Sequence, residues 1–196
     1  MFELKNRILI FEGIDRCGKT TQIEKLEQYL SKLGYSPHVF HHGKPFFGTK
    51  EYSTSYYIQE FYNYKILFTE SEQNVILLDR SFLGEFVWAL YRDYSGLESF
   101  TEILSSQVFS EWLIFYTKFF FFYDNYVSYS ERDDNDSMFK TKKEFDLIVP
   151  QFQLACDIID NEYKKRNLNK CVTRVNISQV GNEKRVFELL TQNLMS

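Results

Sequence analysis

Short apolar runs alternate with longer amphipathic stretches along the chain. Five runs have the length and continuity of strands that are covered on both faces, at residues 7–12, 37–42, 75–78, 118–123 and 171–177. After the first run, apolar residues recur at helical spacing from Ile23 to Leu33, and Gly34 is well placed to end that helix. The pattern therefore predicts strands and helices in alternation.

Helices are predicted for the amphipathic stretches at residues 20–33, 51–68, 82–94, 98–116, 140–165 and 183–194. The helix at 140–165 contains Pro150, where it could bend. Residues 43–50 form a predicted loop, because two glycines and a proline punctuate them. Residues 128–139 are polar and charged, which is typical of a mobile surface segment.

This alternation predicts an α/β fold with a five-stranded, mainly parallel sheet flanked by helices and joined by right-handed crossovers. The 196 residues fit one domain, residues 1–196, since no Pro/Gly/Ser-rich linker divides the chain. Ligands of such sheets bind outside the carboxyl ends of the strands. The candidate functional residues are therefore the polar ones that follow the apolar runs: residues 12–19, 41–42, 79–80, 124–125 and 176.

Composition and charge exclude several classes of protein. A hydrophobic share of 44% excludes a disordered chain, and a net charge of −4 gives no basic surplus for a nucleic-acid backbone. Three cysteines without a CxxC spacing fit a reducing cytosol and predict neither a zinc site nor a disulfide framework. No apolar run is long enough to span a bilayer, so we expect a cytoplasmic protein that does not bind a membrane. Because of the net charge, we also expect no binding to nucleic acid. The abundance of Phe, Tyr, Asn and Lys is typical of AT-rich coding sequences, as in some phages, and a viral protein would act in the host cytoplasm.

Residues 13–20 (GIDRCGKT) match GxxxxGK[ST], the phosphate-binding P-loop pattern. Gly13 and Gly18 let the backbone wrap closely and point its N–H groups inward, and the helix that begins at Lys19 adds its positive end. Lys19 would reach the β- and γ-phosphates of a nucleotide, and the Thr20 hydroxyl is placed to bind Mg²⁺. The residues expected to surround ATP are Gly13, Ile14, Asp15, Arg16, Cys17, Gly18, Lys19, Thr20 and Thr21.

Two segments carry a resemblance to a known family. Residues 11–26 (FEGIDRCGKTTQIEKL) resemble the N-terminal motif of thymidylate kinases, in the form whose P-loop contains an Asp-Arg pair. Residues 77–82 (LLDRSF) are similar to the Asp-Arg-Tyr segment that this family has at the end of its third strand. Deoxynucleoside kinases share the broader fold and carry Glu-Arg-Ser at that place. The Asp-Arg-Ser at residues 79–81 therefore lies between the two patterns.

The resemblance implies a three-layer P-loop fold and ATP-dependent phosphoryl transfer, with Mg²⁺, to a deoxynucleoside monophosphate, dTMP foremost. The catalytic residues that it implies are Arg16, Lys19, Asp79 and Arg132. Arg16 would act as an arginine finger supplied from within the loop, and Asp79 would hold Mg²⁺ together with Thr20. Residues 128–139 would be a lid that closes over ATP, with Arg132 as a second cationic clamp. Because the family is commonly dimeric, the resemblance allows a homodimer.

For the acceptor nucleotide, the resemblance implies contacts from Asp15, Lys44, Tyr57, Arg80 and Arg92. Asp15 would contact the sugar hydroxyl, and Arg80 would hold the acceptor or its phosphate. The family usually presents an arginine after the second strand, where this chain has Lys44 as its only fixed cation. The family also stacks on and reads thymine with a Phe and an Arg of the next helix, whereas residues 51–68 supply tyrosines but no arginine. Arg92 either lines the acceptor pocket or pairs on the surface.

Several alternatives remain open. Glu12 could position water or substrate, or it could pair with Arg80 or Arg16. Asp79 could also cap the helix that follows it. The histidines at residues 41–42 point to opposite faces of a strand and are not expected to share a metal ion. Two other functions remain possible: a deoxynucleoside kinase with Glu12 as general base, and a nucleotide-binding regulator without transferase activity.

Overall fold

The structure, a computed structural model, describes residues 4–42, 50–84, 87, 96–131, 139 and 141–194. Its strands form one five-stranded sheet in the order β2-β3-β1-β4-β5, and every neighbouring pair is parallel. The strands are β1 Ile8–Gly13, β2 Ser36–His41, β3 Asn74–Asp79, β4 Thr117–Tyr123 and β5 Val172–Asn176. The five predicted strands and the predicted fold class are confirmed, with strand ends that differ by at most one residue.

Helices connect and cover the strands. They are α1 Lys19–Lys32, α2 Lys50–Glu70, α3 Gly96–Ser105, α4 Tyr126–Glu131, α5 Lys142–Lys165, α6 Ile177–Val180 and α7 Glu183–Leu194. At the start of α5, Glu144 N donates to Thr141 Oγ1 at 3.2 Å and Thr141 N donates to Glu144 Oε2 at 3.0 Å. This reciprocal cap fixes the first turn, and α5 then continues through Pro150 to Lys165. None of the described helices is both long and apolar enough to cross a membrane.

One predicted helix differs from the structure, and another is described only in part. The single helix expected at 98–116 is divided into α3, a π-helical segment Phe109–Leu113 and a helical turn Ile114–Tyr116 that runs into β4. A π turn holds one more residue than an α turn, so the helical spacing in the sequence does not reveal it. Of the helix expected at 82–94, residues 85–86 and 88–94 lie outside the described part of the chain.

Of the predicted surface segment at 128–139, the structure describes residues 128–131 and 139. Residues 128–131 belong to α4, and Tyr129 is buried with its ring 5.5 Å from that of Phe139 and 5.3 Å from that of Phe145. The aromatic side chains of Tyr129 and Phe139, on either side of the charged run, are therefore packed in the core. Residues 132–138, including Arg132, lie outside the described residues.

The phenylalanine run of β4 forms the centre of the core. Because neighbouring strand residues face opposite sides of the sheet, alternate rings pack in different layers. Phe120 stacks on Phe11 of β1 at 5.2 Å between ring centroids, while Phe121 stacks on Phe152 of α5 at 5.6 Å. Strands β1 and β3 are buried along their whole length. This two-sided burial explains why both strands consist of nearly unbroken apolar runs.

The end of β1 passes unusually close to β4. Gly13 has a φ of 124°, and a Cβ atom placed on it would lie 1.9 Å from the carbonyl oxygen of Phe122. The amide of Ile14 donates to the same oxygen at 3.2 Å. Only glycine permits this approach, and the approach sets the direction in which the P-loop leaves the sheet.

We expect Gly13→Ala to destabilise the protein by about 3 kcal/mol or more, because the new methyl group meets backbone that cannot retreat. Gly34→Ala is the matched control: Gly34 also has a positive φ, 88°, but a Cβ atom there meets nothing within 4 Å. The control should cost only the conformational strain, about 1–2 kcal/mol. Urea unfolding of both variants measures the difference, and equal losses would show that the close approach is not rigid.

Candidate active site

The P-loop joins β1 to α1 at the carboxyl edge of the sheet, as the motif predicts. Gly18, with a φ of 74°, ends the loop, and its carbonyl accepts the amide of Gln22 at 3.0 Å as α1 begins. Arg16 has a φ of 61°, a left-handed conformation that few residues other than glycine adopt, and it is partly exposed. The start of α1 contains no acidic residue, so its positive end is not neutralised by its own first turn.

Lys19 is folded back into the loop. Its Nζ donates to the carbonyl oxygens of Gly13, at 3.2 Å, and Ile14, at 2.7 Å, and the residue is buried. Burial lowers the pKa of Lys19. A buried ammonium whose hydrogen bonds go to carbonyl oxygens would gain from a negatively charged hydrogen-bond partner, and the phosphates of a nucleotide are such partners.

Three polar side chains converge on the end of β3. Thr20 Oγ1 donates to Asp79 Oδ2 at 2.7 Å, and His41 Nδ1 lies 3.2 Å from the same oxygen. A threonine hydroxyl beside a carboxylate at the mouth of a P-loop is an oxygen donor set that suits Mg²⁺ bound to phosphates. His41 at the end of β2 was not predicted to join this group, because the contact depends on the register that pairs His41 with Asp79.

An ion pair joins the P-loop to the segment after β3. Arg80 Nη2 donates to Asp15 Oδ1, and about four-fifths of each side chain is shielded from solvent. Burial alone would lower the pKa of Arg80, but the carboxylates of Asp15 and Glu12 together raise it above its ordinary value. Arg80 has a φ of 73°, so its backbone turns sharply as it leaves the strand. Two of the five residues predicted to bind the acceptor are thus brought together.

Glu12 has a role that the sequence did not reveal. Its Oε2 accepts hydrogen bonds from Ser81 N at 2.8 Å, Ser81 Oγ at 3.0 Å and Gly84 N at 3.1 Å. Glu12 and Ser81 therefore cap the helical turn at 82–84, and the alternative that gave this cap to Asp79 is wrong. Burial raises the pKa of Glu12, although Arg80 and Lys19 oppose this effect.

The histidines at the end of β2 diverge as predicted. The ring of His42 points to α2, where its Nε2 lies 2.7 Å from Tyr64 Oη and its Nδ1 lies 3.4 Å from Tyr56 Oη. Tyr64 in turn donates to Glu60 Oε2 at 3.1 Å. A neutral His42 that carries its proton on Nε2 satisfies all three contacts.

The tyrosines of α2 divide between core and surface. Tyr57, the tyrosine predicted to touch the acceptor, is only 7% exposed and packs against Phe82, whereas its neighbour Tyr56 is 41% exposed. Three other predicted site residues, Lys44, Arg92 and Arg132, lie outside the described residues.

Comparison of sequences finds a short, strong local likeness. No protein-family profile matches the chain. A stretch of 33 residues, 17% of this chain, is 61% identical to a thymidylate kinase from Thermoanaerobacter sp. strain X514, of which it covers 16%. A stretch of 31 residues is 55% identical to a thymidylate kinase from Synechococcus sp. strain CC9311, again covering 16% of this chain and 15% of that protein. The matches thus span about one sixth of the length of these relatives.

Comparison of structures covers the whole chain. The thymidylate kinase of Candida albicans aligns with a TM-score of 0.57 and 16% identity over 97% of this chain and 93% of that one. The thymidylate kinase of Ehrlichia chaffeensis aligns with a TM-score of 0.57 and 14% identity over 97% and 99% of the two chains. At these identities the likeness shows the fold. The chain has the P-loop kinase fold, and its resemblance to thymidylate kinases is confirmed in local sequence and in architecture.

We expect the buried carboxyl group of Glu12 to make stability depend on pH. Because its pKa in the folded chain lies above the ordinary value of 4.5, the folded chain binds this proton more tightly than the unfolded chain. The resulting stabilisation is present below pH 4.5 and is lost as pH rises through the folded pKa. The unfolding free energy of the wild type, relative to that of Glu12→Gln, should therefore fall as pH rises above 4.5.

Urea unfolding at a series of pH values measures this difference. Glu24→Gln makes the same chemical change at an exposed position of α1 and serves as the control. A difference between wild type and Glu12→Gln that stays constant or rises with pH would contradict the assignment.

Proposed function

We propose that the chain is an ATP-dependent nucleoside monophosphate kinase that transfers the γ-phosphoryl group to a deoxynucleoside monophosphate, with dTMP as the preferred acceptor. The observation that carries the proposal is the ion pair between Asp15 and Arg80, which sets a cation and a carboxylate for the acceptor directly beside the phosphate cradle. The local likeness to thymidylate kinases supports the same function. In this proposal the protein is a cytoplasmic enzyme whose partners are nucleotides.

The donor side of the site would hold MgATP. The inward amides of the P-loop, the start of α1 and Lys19 would bind the phosphates, while Thr20 and Asp79 would hold Mg²⁺. When bound, the ion supplies positive charge that neutralises the phosphate oxygens. His41, at 3.2 Å from Asp79 Oδ2, would orient the carboxylate toward the ion, as partners of metal ligands commonly do.

The acceptor side would use Asp15 for the sugar hydroxyl and Arg80 for the phosphate. A phosphate acceptor is already nucleophilic, so the transfer depends on position and charge more than on a base. Arg16, within the loop, would stabilise the charge on the transferring group. We further propose that residues 128–139 form the lid, with α4 as its anchored part and Arg132 as a second clamp.

The site favours a monophosphate acceptor over an uncharged nucleoside. A nucleoside kinase needs a general base for the sugar hydroxyl, and Glu12 was the candidate for that role. Glu12 is 1% exposed, and its Oε2 is already occupied by Ser81 and Gly84. A carboxylate that is committed to a structural cap is poorly placed to accept a proton from substrate.

We expect MgATP to phosphorylate dTMP faster than the other deoxynucleoside and ribonucleoside monophosphates, and thymidine not at all. ADP release, with product analysis by chromatography, measures the transfer. Lys19→Ala is the control, because activity that remains in this variant does not come from the P-loop. Transfer to nucleosides alone would instead identify a nucleoside kinase. ATP binding without transfer to any acceptor would identify a regulator.

We expect Arg16→Ala to lower kcat by on the order of a thousandfold or more, because a loop arginine acts on charge that develops in the transition state. The KM values for both substrates should change much less. Arg185→Ala, which removes an exposed arginine of α7, is the matched control and should keep the wild-type rate. A near-normal kcat for Arg16→Ala would remove this arginine from the mechanism.

A further inference from the structure

A second cation-lined cavity lies at the amino edge of the sheet, opposite the edge that carries the P-loop. It has a volume of about 220 Å³ and lies where β1, β4 and β5 begin. Lys5 precedes β1, Lys118 is the second residue of β4, and Lys170 precedes β5. These strands are adjacent and parallel, so the lysines, which are distant in sequence, are brought to one place by the topology.

The charge of this cavity is of one sign. The described residues that line it include the three lysines and no aspartate or glutamate, although the chain as a whole carries a net charge of −4. The carboxylate of Asp160 acts on Lys118, but it already accepts from Arg174 Nη1 at 3.0 Å and from Val172 N at 3.2 Å. The positive charge of the lysines is therefore not balanced by the cavity wall.

Lys118 is the least solvated of the three. It is half-buried, whereas Lys5 and Lys170 are exposed, and burial lowers the pKa of Lys118. Burial makes the charged form of Lys118 costly, and an anion bound beside it would offset that cost. The lysine ammonium binds phosphate as a point charge and lacks the planar fork with which arginine binds a carboxylate. The arrangement therefore suits a compact oxyanion.

The remaining wall limits the ligand to a small one. Phe115 and Leu168 supply an apolar side to the cavity, and Asn6 and Asn169 add amide groups near the lysines. The volume is below the roughly 300 Å³ at which pockets for drug-sized ligands begin. It is enough for phosphate or for the phosphoryl end of a small metabolite.

We propose that this cavity binds a small oxyanion of the phosphate class, either inorganic phosphate or the phosphoryl group of a small metabolite, at a site separate from the P-loop. The site is defined by Lys118 at its base and by Lys5 and Lys170 at its rim. It does not depend on the kinase activity proposed above, because its residues lie at the opposite edge of the sheet.

Binding is tested by amide NMR on Lys19→Ala, in which the P-loop site is weakened. The probes are inorganic phosphate and ribose 5-phosphate, with chloride at matched ionic strength to measure screening alone. We expect saturable shifts of the amides of Asn6, Asn169 and Cys171 with both phosphates. Tighter binding of ribose 5-phosphate would indicate a phosphorylated metabolite as the ligand, and equal or tighter binding of inorganic phosphate would indicate the free ion.

Two variants, each in the Lys19→Ala background, test the lysines. Lys118→Gln and Lys170→Gln should each weaken binding by about tenfold, the effect of losing one charged contact of ordinary strength. Lys170 is exposed, so its replacement leaves the core intact even if Lys118→Gln affects folding. Lys164→Gln, which removes an exposed lysine of α5 outside the cavity, is the control and should bind as its parent does. Shifts that match chloride, or binding that survives in Lys170→Gln with an unchanged dissociation constant, would overturn the proposal.

Discussion

The carboxylate of Glu12 is fully buried where β1 ends, and it holds the turn after β3 by accepting from Ser81 and Gly84. Burying a carboxylate costs several kcal/mol in free energy, and the cost is offset only when hydrogen bonds and opposite charges surround it. The donors to Glu12 are the amides of Ser81 and Gly84 and the hydroxyl of Ser81, which follow the end of β3. Lys19 and Arg80 supply positive charge nearby. The interaction therefore fixes two strand ends relative to each other.

The rest of the site follows from that link. With Ser81 held by Glu12, Arg80 leaves β3 in a left-handed conformation, and its side chain reaches Asp15 in the P-loop. Such a conformation costs about 1–2 kcal/mol for a residue with a Cβ atom, and the ion pair to Asp15 helps to hold it. Asp79, one residue earlier, faces Thr20 instead. One buried carboxylate thus organises both the proposed metal side and the proposed acceptor side of the P-loop.

Sequence patterns were sufficient for the five strands and for the position of the loop between β1 and α1. The strands are buried on both faces, so unbroken apolar runs mark them, and the P-loop needs glycines at fixed positions that the sequence displays directly. The roles of Glu12 and His41 could not be predicted in the same way. Each acts on a residue about 40 to 70 positions away, and the pairing appears only when the strand register is known. The π-helical segment was missed because its period differs from that of an α-helix.

The sequence pattern also did not reveal the aromatic contacts on either side of the charged run. The charged run after Tyr129 resembles a solvated loop, but Tyr129 and Phe139 on either side of it pack together with Phe145. A run of polar residues predicts solvent exposure in the middle of such a segment. It does not predict whether the aromatic residues on either side of it are buried. For that reason the helix at 128–131 and its buried Tyr129 were not predicted.

The cations at the two edges of the sheet differ in whether other groups of the protein serve as their partners. At the carboxyl edge, Arg80 is paired with Asp15, and Lys19 is held by loop carbonyls, so each cation has a partner within the protein. Such partners keep the side chains in place in the absence of a nucleotide, as the proposed phosphoryl transfer would require. At the amino edge, the described wall of the cavity offers its lysines no carboxylate. Prepaired cations suit a reaction whose geometry must be set in advance, whereas an unbalanced cluster suits the simple binding of an anion.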